Sequence, residues 1–179
     1  MRCNLLSEKE AEMKNIQKVK VVCGSFCFLL FTFYLSSCNQ INVFEKDATI
    51  PNHEWLYNNV PSFQFNVTDT VSKYHVYVVL RHTDAYRYNN IWLNIGFQTP
   101  TDSMRKAQYE FTLGNDVNGW EGTGMDDIWE VRKLITNGPL EYFTFKKPGE
   151  YKFTLAQQMR ENPLPNIMNA GIRVEKVKE

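Results

Sequence analysis

From Trp55 onward the chain alternates apolar and polar residues with a period of two, the spacing that gives an extended strand one buried and one wet face. Phe63, Phe65 and Val67 alternate with Gln64 and Asn66, after Pro61. Ile91, Leu93, Ile95 and Phe97 alternate with Asn94 and Gly96, and Tyr109, Phe111 and Leu113 with Glu110 and Thr112. Tyr151, Phe153 and Leu155 alternate with Lys152 and Thr154, and Ile172 and Val174 with Arg173 and Glu175. Tyr74 to Leu80 is apolar at nearly every position, which predicts a central strand covered on both faces. Trp129 to Ile135 fits either a strand or two helical turns and is assigned to strand. Tyr142 to Phe145 leads into Lys147-Pro148-Gly149-Glu150, a turn with proline second and glycine third. Seven or eight short strands follow, separated by Asn, Asp, Gly and Pro clusters, with no sustained apolar 3.6-residue stripe. That pattern predicts an all-β fold, an antiparallel β-sandwich of jelly-roll-like type, over residues 54–179. Residues 39–52 lack a sustained period and are predicted to form a tether.

The N-terminal segment has a different pattern. Val21 to Leu35 is an apolar run of 15 residues with Lys14, Lys18 and Lys20 before it. A spanning helix needs roughly 20 apolar residues, whereas the core of a signal peptide needs about 7 to 15. Leu35-Ser36-Ser37-Cys38 follows the run, and small residues before a cysteine resemble the lipobox of bacterial lipoproteins. The resemblance implies cleavage between Ser37 and Cys38, a thioether-linked diacylglycerol on Cys38 and acylation of the freed amine. Labelling with palmitate should then mark the protein. Buried acyl chain contributes about 0.8 kcal/mol per CH₂, so one chain anchors marginally and three effectively permanently. An ordinary buried helix and an uncleaved signal anchor are the competing readings, and neither calls for small residues followed by Cys. Glu8, Glu10 and Glu12 are out of place in a basic leader, so Met13 rather than Met1 is the expected initiator. The expected organisation is therefore leader over 1–37, lipidated tether over 38–53 and sandwich over 54–179.

Cysteine usage and charge narrow the field. Cys3, Cys23, Cys27 and Cys38 all precede residue 39, so the mature body has no thiol to pair with Cys38 and is expected to rest on its hydrophobic core. Removing five cations and three anions of the first 38 residues from the 20 of each leaves 15 Lys and Arg against 17 Asp and Glu. That balance favours neither nucleic acid nor a basic supplement to the lipid anchor.

Candidate chemistry is sparse. Gly114 to Asp127 is a dense Asn, Asp and Gly loop, but Asp116-x-Asn118 is followed at once by Gly119 and lacks the remaining calcium-hand ligands. Glu54, Asp126, Asp127 and Glu130 could supply a pair of glycosidase acids, although surface acids are the default. His53, His75 and His82 share no metal spacing, and Gly122-Thr123-Gly124 lacks the strand-to-helix context of a phosphate loop. No catalytic residue, metal or cofactor is assigned, and a non-enzymatic protein is expected. The aromatic content points to binding. Tyr86, Arg87, Tyr88, Trp92 and Trp120 are the candidate contacts for a protein partner or a glycan, with burial of Tyr86 and Tyr88 at a sandwich edge as the alternative.

Several stretches together resemble the gliding motility lipoprotein GldH family of the Bacteroidetes. They are the lipobox at Cys38, the strand leading to Arg81, Tyr86 to Leu93, Gly119-Trp120-Glu121-Gly122-Thr123-Gly124, Pro148 to Tyr151, Gln157 to Arg160 and Gly171 to Glu175. The resemblance implies a lipid-anchored component of the gliding machinery, linked through it to type IX secretion, with other gliding or secretion envelope proteins as partners. A glycan-binding sandwich lipoprotein is the alternative. In that phylum surface-exported lipoproteins carry acids just after the lipidated cysteine; Asn39 to Val43 has none, which implies an outer-membrane lipoprotein facing the periplasm. Asp69-Thr70-Val71 and Asp102-Ser103-Met104 fit the phylum's loose O-glycosylation pattern at Thr70 and Ser103, an expectation that an unshifted intact mass would remove.

Overall fold

The computed structural model describes residues 43–135 and 141–177, which belong to one compact unit, Asn42–Glu179. The leader, Ser37 and Cys38 lie outside the described residues. In chain order the strands are β1 (Val43–Thr49), β2 (Glu54–Trp55), β3 (Ser62–Val67), β4 (Tyr74–Thr83), β5 (Asn90–Gln98) and β6 (Arg105–Thr112). They continue with β7 (Gly114–Asn115), β8 (Gly119–Trp120), β9 (Thr123–Met125), β10 (Ile128–Leu134), β11 (Gly149–Gln157), β12 (Leu164–Pro165) and β13 (Ile167–Lys176). Two antiparallel sheets dominate, one in the order β1-β13-β4-β10-β9 and the other β3-β11-β5-β6. They face each other as an open sandwich, and eight of the strands are six residues or longer.

The alternation read from the sequence is what fills the space between them. Phe63, Phe153, Leu155, Ile91, Leu93 and Ile95 point inward from the four-stranded sheet and are buried. Val76, Val78, Leu80, Val131, Ala170 and Ile172 meet them from the five-stranded sheet. At one end the core is aromatic: Phe44 stacks on Phe65 at 4.9 Å, and Phe145 lies 4.7 Å from Tyr151. Such ring pairs contribute roughly 0.5–1.5 kcal/mol each beyond their buried area. Tyr74 to Leu80 is central as expected, since β4 is the middle strand of its sheet. Its outer face is only partly covered: Val79 is buried while Tyr77 is half-buried and Arg81 exposed.

Two expectations are corrected. The tether drawn over 38–53 is too long, because Val43–Thr49 pairs along its whole length with β13, from Val43 opposite Glu175 to Thr49 opposite Asn169. Only Phe44 and Ala48 of this edge strand pack against the core, with exposed Lys46 between them, so the apolar rhythm is broken. Its exposed Glu45, Lys46 and Asp47 also suit an edge, where charge discourages pairing with another chain. Gly171 makes the pairing possible, since a Cβ there would stand 2.7 Å from the Lys46 carbonyl oxygen. The second correction concerns Tyr142–Phe145, which is no strand; Phe143 makes one isolated bridge to Tyr74.

Candidate functional site

Tyr86, Tyr88 and Trp120 come together, but around a buried histidine. Tyr86 is 3% exposed and donates its hydroxyl to the Asn90 carbonyl at 3.0 Å. Its ring lies 5.7 Å from Tyr88 and 5.5 Å from His82, and Trp120 meets His82 edge-on at 4.6 Å. Burial pushes the Tyr86 phenol up, out of any physiological titration. These rings close one end of the sandwich. Tyr86 is buried there and Tyr88 half-buried. Arg87 is exposed beside Glu161, 3.6 Å away.

His82 itself is fully buried, with Nδ1 donating to the Thr83 carbonyl at 2.9 Å. Its Nε2 is buried with no hydrogen-bond partner among the described residues. Burial lowers its pKa, outweighing the opposing pull of the Thr83 carbonyl. A group whose folded pKa is depressed contributes stability that is present above its unfolded value, about 6.5, and is lost as pH falls below it. Thermal unfolding followed against pH should therefore show stability declining from about pH 6.5 downward, ahead of the carboxylates. The His82→Gln protein should lack that inflection; an unchanged profile would remove His82 as its cause.

Trp92 stands apart from the cluster. It is 36% exposed on the outer face of the four-stranded sheet, among Asn94, Glu110 and Gln158. No other aromatic side chain projects from that sheet face among the described residues, so there is no row of rings for a sugar chain. Instead Trp92 borders Met159, whose sulfur accepts the Trp92 backbone N–H at 3.3 Å. Tyr57 donates its hydroxyl to the Met159 carbonyl at 2.7 Å from the other side. Leu56, Tyr57 and Val60 are each between 43% and 44% exposed, and through Met159 Tyr57 joins Trp92 as exposed apolar surface. Sequence pattern gave no hint of this, because Tyr57 lies in the turn after Trp55 and only folding brings it to Met159 beside Trp92.

A cleft of about 590 Å³ lies over the outer face of the five-stranded sheet. Its lining includes Arg81, Glu130, Arg132 and the exposed Met125. Its charges are already matched: Arg81 pairs with Glu130 at 2.7 Å, and Arg132 with Glu130 at 3.0 Å and Glu45 at 3.7 Å. Arg173 continues the chain to Glu45 and, at 2.8 Å, to Glu175. The Arg81 hydrogen bond is the main reason the Glu130 carboxyl sits below its usual pKa. The other proposed acids do not join Glu130 in the cleft: Asp126 and Asp127 form the β9–β10 turn, and Glu54 is on β2. The glycine-rich loop is likewise occupied structurally. Gly122 has φ +93° and lies so close to β10 that a Cβ would strike the Glu130 carbonyl oxygen at 2.1 Å. No group of three metal-ligating side chains occurs among the described residues.

A second groove, of about 430 Å³, opens between the sheets at the opposite end from Trp92. Phe97, Tyr109 and Phe143 line its interior, with Arg105, Lys106, Lys146 and Lys147 at its rim. Thr70 and Ser103 both fall in loops near this end. Thr70 is half-buried and Ser103 exposed. Asp69 is engaged within its own turn, accepting from the Ser72 hydroxyl at 2.7 Å and from Lys176 at 2.9 Å, which holds its carboxyl well below the usual range.

The body is an all-β sandwich, and comparison with known proteins gives its class, a lipoprotein. Residues 42–174 match the GldH lipoprotein family, and the chain belongs to that family. The gliding motility lipoprotein GldH of Flavobacterium johnsoniae is 28% identical over 159 residues, covering 85% of this chain and 96% of its own. A protein described as a gliding motility lipoprotein GldH homolog, from Christiangramia forsetii, is 26% identical over 158 residues, covering 84% of this chain and 94% of its own. Among solved structures, a carbohydrate-binding module specific for non-crystalline cellulose aligns with a TM-score of 0.37 at 14% identity, over 75% of this chain and 73% of that one. The VP2 subviral particle of infectious bursal disease virus aligns with a TM-score of 0.33 at 11% identity, over 78% and 33%.

Proposed function

We propose that this protein is a lipid-anchored, non-enzymatic component of the gliding motility machinery, held at the outer membrane by acylated Cys38 and facing the periplasm. Through that machinery it is linked to type IX secretion. The observation that carries the reading is family membership across nearly the whole body, residues 42–174. The exposed Leu56, Tyr57, Val60 and Trp92, with Tyr57 and Trp92 meeting at Met159, support it, because exposed apolar surface favours contact with another protein. Restricting the body to a thin layer by its anchor raises its effective concentration for membrane neighbours, so partner affinity in solution can be weak.

The test is cross-linking in intact envelopes from a photoreactive residue at position 92. A gliding or secretion component should be captured, and the Tyr57→Glu protein should lose the adduct. Recovery of abundant porins alone would contradict the reading. In the same cells added proteinase should leave the protein whole until the outer membrane is permeabilised; digestion without permeabilisation would overturn the orientation.

A further inference from the structure

The charges at the two ends of the sandwich are unequal, and the cationic end is the one from which the N-terminal segment emerges. Val43 pairs with Glu175, and the next residue, Lys176, pairs with Tyr74. Tyr74 bridges Phe143, which lines the 430 Å³ groove together with Arg105, Lys106, Lys146 and Lys147. The four cations arise from two separate stretches of sequence and converge only through folding, which is why the chain's near-neutral composition concealed them. All four are exposed, and Asp102 is the one acid in the groove lining. Asp102 accepts a hydrogen bond from Thr99 at 2.8 Å, and Lys147 donates to Thr101 at 3.0 Å. Arg105, Lys106 and Lys146 have no carboxylate partner among the described residues. Lys73 extends the positive surface, its ammonium 4.6 Å from the centre of the Tyr142 ring.

The corrected domain boundary gives this end its position. Five residue steps separate Cys38 from Val43. Fully extended they reach at most about 18 Å, at roughly 3.6 Å per residue. β4 alone has 10 residues, about 33 Å of strand. The short connection therefore allows the cationic end to touch a bilayer holding acylated Cys38 and keeps it within about two Debye lengths of the surface.

We propose that this end of the sandwich docks on anionic phospholipid headgroups through Arg105, Lys106, Lys146 and Lys147, a contact that rests on the lipidation of Cys38 in the reading above. Docking turns the Trp92 patch away from the membrane, toward partners. Each lysine near an anionic leaflet contributes about fivefold in surface partitioning, so neutralising two lowers it about thirtyfold.

The test uses the lipidated protein in vesicles of phosphatidylethanolamine, with and without phosphatidylglycerol. With Cys38 acylated the body offers no competing thiol, so a fluorophore can be placed through Ser103→Cys near the groove or Val117→Cys at the far end. Energy transfer to a headgroup acceptor should be stronger from position 103 than from 117 when phosphatidylglycerol is present. The difference should fall with added salt and with Lys146→Gln combined with Lys147→Gln. Equal transfer from both positions would overturn the proposal, as would a difference that ignores lipid charge and salt, which would mean that the connection alone sets the orientation. Failure of the protein to float with either vesicle would instead refute the anchor.

Discussion

The Cys38→Ala protein takes up no labelled palmitate and accumulates as an unprocessed precursor, larger than the wild-type band by the length of the leader. The acceptor of the diacylglycerol is the cysteine thiol, and no other side chain at that position can form the thioether. Cleavage follows lipidation, so loss of the thiol stops both steps. The expected effect is complete rather than partial. At about 0.8 kcal/mol per buried CH₂, three acyl chains on Cys38 would supply far more anchoring energy than a surface contact of the body. No helix among the described residues is long and apolar enough to cross a membrane. Gel mobility and label incorporation in pulse-labelled cells check the prediction. Normal processing of the alanine protein would move the cleavage site away from Ser37 and Cys38.

Replacing Gln157 with leucine destabilises the body by about 3 kcal/mol or more. Gln157 is fully buried, and its amide is matched at each atom that points into the protein. The Nε2 donates to the carbonyls of Trp55 and Glu161, both at 3.1 Å, and Oε1 accepts from the Met159 N–H at 2.8 Å. One side chain thus ties the end of β11 to β2 and to the turn that carries Met159. Leucine fills the space but removes three hydrogen bonds made in or at the edge of the core, at about 1–3 kcal/mol each where the partner is left unmatched. Relaxation of the turn offsets part of that sum. A loss of 3 kcal/mol lowers Tm by roughly 10 °C for a body of this size. Arg132→Ala is the matched control; although it sits in the charged network it is exposed, and its loss should cost under about 1 kcal/mol. Equal Tm shifts in the two proteins would show that Gln157 is not the organising residue. Because Met159 lies between Tyr57 and Trp92, Gln157→Leu should also weaken the cross-link from position 92.

The residues that announced the fold were those whose burial follows directly from strand period. Phe63-x-Phe65-x-Val67 and Tyr151-x-Phe153-x-Leu155 read as half-buried strands and pair with each other, Phe65 opposite Tyr151 and Phe63 opposite Phe153. β1 lacks a strand signature because only Phe44 and Ala48 of this edge strand pack on the core, with exposed Lys46 between them. Tyr86 and Trp120 were visible as candidates, but exposure is not encoded in residue type; only the cluster around His82 shows that these rings are structural. Gln157 carried no pattern signal at all, since a buried amide is recognisable only by its partners. The same holds for the cationic rim. Arg105 and Lys106 are about forty residues from Lys146 and Lys147, and the topology brings them to one groove.

The central claim is a β-sandwich joined to the bilayer by an acylated Cys38 through a connection of only a few residues. Mass spectrometry of the N-terminal peptide from protein extracted with detergent tests it most directly. The account predicts a peptide that begins at Cys38 and carries the mass of three acyl chains on its sulfur and amine. An unmodified peptide, or one beginning at any other residue, would contradict it.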